Sequence, residues 1–319
     1  MLPEMERTAD MELSYKVENG RAVIDKVEDG DRTVVVPEEL EGCPVTELGA
    51  YVLAGSDVEE LHLPSRLVKI GAYAFYNCQR LKRITCSSRA VDLGTGLFAG
   101  VQTVEYLDII LFPGERSCLK ELLSELRQTL RVRVREREPG GREARLIFPE
   151  YYEDSVENTP ARIVSIETHG CGHRYRYCFQ NRVFQYRDYD SIFPHMKVQE
   201  PEALAAELAF GRLRYPLELG ETARQEYRAF LAEHWQAAGQ MLIDADRLSR
   251  DQATNLEPGQ LPWFVEQVLE PGAEADWSAI LPAYIAMAQK AGDTEMVSWL
   301  MDYRHRRGGA GTRSRRFRL

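Results

Sequence analysis

No apolar run in the 319 residues approaches the ~18 that a membrane-spanning helix needs, so no such helix is expected. The opening stretch, Met1-Leu2-Pro3-Glu4-Met5-Glu6-Arg7, lacks the basic-then-apolar pattern of an export signal, so the cytoplasm is the expected location. Cysteine is sparse, with six residues, and an even count without a secretory context does not argue for a disulfide framework. A phosphate-binding loop is missing too: Gly308-Gly309-Ala310-Gly311-Thr312 has neither the lysine nor the following helix. What remains, at 44% hydrophobic residues, is the profile of a soluble chain of about two domains.

The strongest positive signal is a repeat. Leu48-Gly49-Ala50-Tyr51-Val52-Leu53 is answered by Ile70-Gly71-Ala72-Tyr73-Ala74-Phe75 and by Leu93-Gly94-Thr95-Gly96-Leu97-Phe98. Each copy is followed by a short apolar segment: Leu61-His62-Leu63, Ile84-Thr85-Cys86 and Leu107-Asp108-Ile109. A period of about 23 residues fits a solenoid, in which one strand and one turn bury their apolar face only when neighbours stack on them. Alternation along each strand predicts inward columns Leu61/Ile84/Leu107 and Leu63/Cys86/Ile109, with Leu53, Phe75 and Phe98 filling the interior opposite. Gly49, Gly71 and Gly94 are expected at a tight bend. Cys78, aligned with Val101, and Cys86 read as small core hydrophobes, and bridging them would disturb the stack. Leu130-Arg131-Val132 lies one period after Leu107 and is expected to be a last rung. Leu119, Leu122, Leu123, Leu126 and Leu130 have helical spacing, so a helix over 118–130 is expected to cap the stack.

Val34-Val35-Val36-Pro37, Gly42-Cys43-Pro44-Val45-Thr46-Glu47-Leu48-Gly49 and Ile70 to Leu81 carry a resemblance to the leucine-rich repeats of the BspA-like type, over roughly residues 13 to 112. The resemblance implies a β-hairpin start, here Leu13 to Ile24 around Asn19-Gly20, followed by stacked rungs. It also implies a bacterial protein that binds other macromolecules and contains no catalytic residues.

Pro139-Gly140-Gly141, inside the charged stretch Glu136 to Arg145, is the strongest local punctuation and predicts a domain boundary. Beyond it Arg162 to Thr168 is strand-like, and Tyr175, Tyr177 and Phe179 alternate with arginine and cysteine. Tyr227, Phe230, Leu231, His234, Trp235, Ala238, Met241, Leu242, Ala245 and Leu248 trace one face of a long helix. Ala288 to Met301 is similar to the paired helices of an ankyrin repeat, with Leu281-Pro282-Ala283-Tyr284 standing where that family has its turn. A lone unit cannot form an array, so a helical hairpin closing the domain is expected.

Candidate chemistry concentrates at residues 169–190. His169-Gly170-Cys171-Gly172-His173 with Cys178 offers ligand types that suit zinc, but the spacing matches no strong template, and the glycines read as a bend. Ser117-Cys118-Leu119-Lys120 has the Ser-x-x-Lys spacing without its companion elements, and reads as a helix cap with a solvated lysine. Asp188-Tyr189-Asp190-Ser191 lacks the further oxygens of a calcium loop, and His234 reads as a satisfied boundary residue.

Formal charge is −10, and since Arg304 to Leu319 holds seven arginines and no acid, the rest of the chain carries −17. The expectation is therefore an α+β chain: a leucine-rich-repeat solenoid over 1–138, a mixed and mainly helical domain over 139–303, and a disordered basic tail over 304–319. The function expected is a non-enzymatic protein-interaction or scaffold module needing no cofactor. Its partner face is read as the residues alternating with the core columns: Glu60, His62, Arg83, Thr85, Tyr106 and Asp108. The alternatives are a metal-dependent regulator or enzyme with its site near 169–190, and a nucleic-acid factor using the arginine tail.

Overall fold

The computed structural model describes residues 11–28, 31–112, 117–138, 140–158, 163–248, 256–271 and 275–309. They form two compact units, one taking in the residues up to Glu200 with Arg214–Ala223, the other Pro201–Leu213 with the residues from Arg224 onward. The fold is α+β: a β-solenoid of about five turns, then a helical domain.

The solenoid opens with β1 (Glu12–Glu18) and β2 (Arg21–Glu28), an antiparallel hairpin whose Asn19 and Gly20 have φ of 53° and 72°, as a primed turn requires. There follow β3 (Thr33–Val35), β4 (Glu39–Leu40), β5 (Cys43–Leu48), β6 (Glu60–His62), β7 (Lys69–Ile70), β8 (Arg83–Ser87), β9 (Asp92–Leu93), β10 (Tyr106–Leu111), α1 (Leu119–Glu125), β11 (Leu130–Glu136) and β12 (Glu143–Phe148). One sheet runs β12-β11-β10-β8-β6-β3, the other β1-β2-β5-β7-β9. Pairing in the first sheet stacks Val34, Leu61, Ile84, Leu107, Val132 and Leu146 into one buried inward column. Cys86, Ile109, Val134 and Ala144 form a second. Each Leu, Ile or Val of these columns, fully buried, stabilises by roughly 1.5–3 kcal/mol. Phe75 and Phe98 meet inside at 5.5 Å between ring centres.

The corner of each turn uses two left-handed positions. Tyr51, Tyr73 and Gly96 form the first series (φ 57°, 54°, 65°), and Gly55, Asn77 and Gly100 the second (73°, 57°, 81°). Backbone bonds join successive corners: Tyr51 to Ala72 and Leu53 to Ala74, then Tyr73 to Thr95 and Phe75 to Leu97. The glycines expected at a bend serve another purpose. A β-carbon on Gly71 would lie 2.5 Å from the Gly49 carbonyl carbon, and one on Gly94 would lie 2.3 Å from the Ala72 nitrogen. Close approach of stacked turns, rather than φ, excludes a side chain there.

The stack ends in two devices. At the corner, the Glu125 carboxylate accepts the N–H of Gly96 at 3.1 Å and of Phe98 at 3.2 Å, standing in for the carbonyls of a next turn. In the sheet, β12 pairs antiparallel to β11, and its far edge is met by a bridge from Ala144 to Pro216 and by Leu217 N–H on the Glu143 carbonyl. The boundary expected at 136–145 is thus corrected: Gly140 (φ 74°) and Gly141 belong to the loop of the β11–β12 hairpin, and the Arg142 guanidinium clamps Glu136 across it. Pro139 lies outside the described residues. The capping helix is also shorter than expected, because the backbone turns extended at Leu126, which remains buried.

Past β12 come the hairpin β13 (Tyr152–Asn158) and β14 (Ile163–His169), then α2 (Gly172–Arg176), β15 (Phe179–Gln180), β16 (Val183–Phe184), α3 (Tyr186–Ser191) and α4 (Phe193–Gln199). The alternation expected from Tyr175 to Phe179 gives way to the short helix α2, which buries Tyr175 and Arg176. The Arg176 guanidinium donates to the carbonyls of Leu126, Gln128, Pro149 and Gly172. Burial lowers its pKa to about 10, and the four acceptors supply the partners a buried cation requires.

The second unit takes in α5 (Glu202–Arg214) up to Leu213, α6 (Glu221–Glu233) from Arg224, α7 (Trp235–Leu248), α8 (Gln260–Phe264), α9 (Trp277–Ala291) and α10 (Thr294–Gly309). The single helix expected over 227–248 is broken at His234, whose ring leans on Phe230 and whose Nδ1 lies 2.9 Å from Glu202 Oε1. At this break the Tyr284 hydroxyl donates to the Trp235 carbonyl, and the same ring packs where a β-carbon on Gly239 would fall. α9 and α10 form the expected closing hairpin through Gly292 (φ 75°). Pro282, expected in a turn, sits inside α9, whose start is instead capped by Asp276. Residues 304–309 of the expected disordered tail are the last turns of α10; residues 310–319 lie outside the described residues.

Candidate partner-binding face

The outward positions of the first sheet follow from register. Glu60 pairs with Arg83, Arg83 with Tyr106, and Tyr106 with Arg131, in one row. His62, Thr85, Asp108 and Arg133 form the next row. All six residues expected on this face are therefore contiguous, one per strand per row.

Their environments differ from a plain wet surface. The Arg83 guanidinium lies 4.4 Å from the centre of the Tyr106 ring, and Arg131 lies 5.9 Å from it. Arg83 also reaches Glu60 at 3.7 Å. Asp108 receives two parallel bonds from Arg135, at 3.1 and 3.2 Å, the fork geometry in which guanidinium and carboxylate match best. Arg133 and Arg145 share Glu143, at 2.8 and 2.7 Å. Thr85, expected to face solvent, is 3% exposed: it lies between His62 and Asp108, and the long side chains around it close over its short one.

His62 is the titratable centre of the face. It is half-buried, and its Nε2 has no hydrogen-bond partner among the described residues. Burial lowers its pKa below the ordinary imidazole value; Glu60 and Asp108 pull upward, and Arg83 pushes down. Arg131, Arg133 and Arg135 extend the strip beyond the six expected residues. The signal was the period itself, which places Arg131 in line with Tyr106.

The residues considered for metal or catalysis disperse. Cys171 Sγ contacts Glu200 at 3.2 Å and Met196 Sδ at 3.9 Å, while Cys178 Sγ points to the Arg174 carbonyl at 3.6 Å. His173 rests against Tyr151 and Tyr177, and His169 stacks on Tyr152 beside Asp154. Among the described residues no three His, Cys, Asp or Glu side chains gather as metal ligands. Burial, with Glu200 next in effect, pushes the Cys171 thiol up to about 12; burial with Asp188 and Asp190 does the same to Cys178. Neither supplies a thiolate nucleophile near neutral pH. The cap expected at Ser117 is corrected: the N-cap of α1 is Cys118, without a side-chain cap bond, and Ser117, one residue earlier, accepts the Leu119 N–H at 3.1 Å in a local turn, while Lys120 is exposed.

Stacked parallel rungs with an inward aliphatic ladder define a leucine-rich-repeat solenoid. Residues 46–115 match the BspA type leucine rich repeat region, in six copies, so the N-terminal part of the chain carries BspA-like repeats. A leucine rich cell surface protein from Faecalibacterium prausnitzii, known from a crystal structure, is similar at 18% identity over 33% of this chain and 36% of that one, with a TM-score of 0.25. The chain thus spans about a third of that protein's length. No curated protein matches. No helix among the described residues is long and apolar enough to cross a membrane.

Proposed function

We propose that the solenoid is the protein-binding part of a non-catalytic scaffold of bacterial origin, acting in the cytoplasm, and that its partner docks on the outward face of β6, β8, β10 and β11. The repeat family supports an interaction module. The observation that carries the choice of face is the Arg83–Tyr106–Arg131 arrangement at its centre, since tyrosine and arginine are the side chains most enriched at interface hot spots. Glu60, His62, Thr85 and Asp108 frame that centre, Thr85 as a buried support. The α9–α10 hairpin, which we read as ankyrin-like, closes the second unit.

The test is affinity purification of the full chain from bacterial cells beside Tyr106→Ala with Arg83→Ala, both shown folded by circular dichroism. A specific partner retained by the wild type and lost by the double variant supports the reading. Equal retention moves the binding surface off this face.

A further inference from the structure

Two cysteines far apart in sequence meet in the solenoid core. Cys86 stands in the inward column of β8, and Cys118 directly precedes α1, 32 positions later; they are 2% and 1% exposed. Their sulfurs are 3.7 Å apart, and Cys118 Sγ also lies 3.5 Å from the Ser87 carbonyl. All six cysteines are free thiols.

The surroundings narrow what this pair can be. Zinc requires about four ligands, and no third donor joins the two sulfurs among the described residues. A disulfide needs only the two, with an S–S length of about 2.05 Å, so less than about 2 Å of approach separates the contact from the bond. The bond would tie the rung at β8 to the start of the capping helix, across the last turn of the stack.

We infer that Cys86 and Cys118 are a disulfide-forming pair, thiols under reducing conditions and a covalent staple between rung and cap under oxidising ones, with a low-molecular-weight disulfide such as glutathione disulfide as the electron acceptor. One cysteine thiolate attacks a sulfur of glutathione disulfide and releases glutathione thiolate, leaving a mixed disulfide. The second cysteine thiolate attacks the protein sulfur of that mixed disulfide and expels the second glutathione. The protons of the two cysteines end on the two glutathiones, and two electrons pass from the pair to the oxidant. The mixed disulfide has no room in the closed core, so closure proceeds through opening of α1. The contact with Cys118, followed by burial, raises the Cys86 thiol well above its ordinary pKa, which keeps the closed state slow to react.

The full chain, purified under reducing conditions, is incubated with glutathione disulfide or with dithiothreitol, alkylated in denaturant and mapped by mass spectrometry. The expected product is two hydrogens lighter, carries a Cys86–Cys118 cross-linked peptide, and melts about 5 °C or more above the reduced chain. Dithiothreitol should reverse the shift, and Cys118→Ala and Cys86→Val should abolish it. Mapping of the wild type decides the matter even where a variant fails to fold. Full alkylation of both residues after oxidation, a stable glutathione adduct without a link, or cross-links to other cysteines would each overturn the inference.

Discussion

The Phe98 N–H is held by the carboxylate of Glu125, a side chain doing what the Leu97 carbonyl does for Phe75 one turn earlier. With the matching bond to Gly96, one residue satisfies two of the donors that the last corner turns toward a next turn.

Glu125→Ala should therefore destabilise the solenoid by about 1–2 kcal/mol, the range for hydrogen bonds to a charged but partly exposed acceptor. Hydrogen exchange should locate the loss, with faster exchange at Gly96 and Phe98 and unchanged protection at Tyr73 and Phe75. Uniform protection across both corners would show that Glu125 has no capping role.

At Gly71 the neighbouring backbone leaves no space for a side chain. Gly71→Ala should cost roughly 2–3 kcal/mol by forcing two turns apart, although alanine is ordinarily the more favourable residue. A denaturant titration showing less than about 0.5 kcal/mol would mean that the turns are not stacked this closely.

Tyr73 holds a left-handed backbone (φ 54°) while its ring stacks on Tyr51 at 5.3 Å and covers Gly96. That backbone costs a side-chain-bearing residue about 1 kcal/mol, and an aromatic stack returns about the same. Tyr73→Gly should then be close to neutral. Tyr73→Ala, which keeps the strain and loses the stack, should be the worse variant by about 1 kcal/mol. The reverse order in thermal unfolding would refute the balance.

His62 sets a pH dependence. Its folded pKa is lowered, chiefly by burial, so on acidification the unfolded chain takes up the proton first and the folded chain lags. Stability should fall as pH drops through about 6.5 toward the lower folded value, and that component should be complete below it. His62→Gln should remove the component, and an NMR titration should give the folded imidazole a value below 6.5. An upward shift would contradict the desolvated site.

The repeats could be read directly because every turn imposes the same constraint at the same spacing, so Leu61, Ile84 and Leu107 announce one another. The register of Glu60, Arg83 and Tyr106 followed from that period. The burial of Thr85 did not, because it depends on which longer side chains fold across it. Glu125 gave no local sign, since its carboxylate imitates backbone from 27 positions away. Gly140-Gly141 looked like a linker because glycines that join strands and glycines that join domains have the same composition. The break at His234 leaves the apolar spacing from Tyr227 to Leu248 untouched, so periodicity could not reveal it.

The antiparallel strand β12 fixes where the repeat array can change in length. In the first sheet a further parallel rung has no free edge of β11 to pair with, and Glu125 already holds two donors of the last corner. The hairpin β1–β2 sets a reversed strand at the other end of the second sheet. Gain or loss of a repeat in descendants of this gene is therefore expected between existing turns, by duplication or deletion of an inner unit such as residues 70–92, rather than beyond β12.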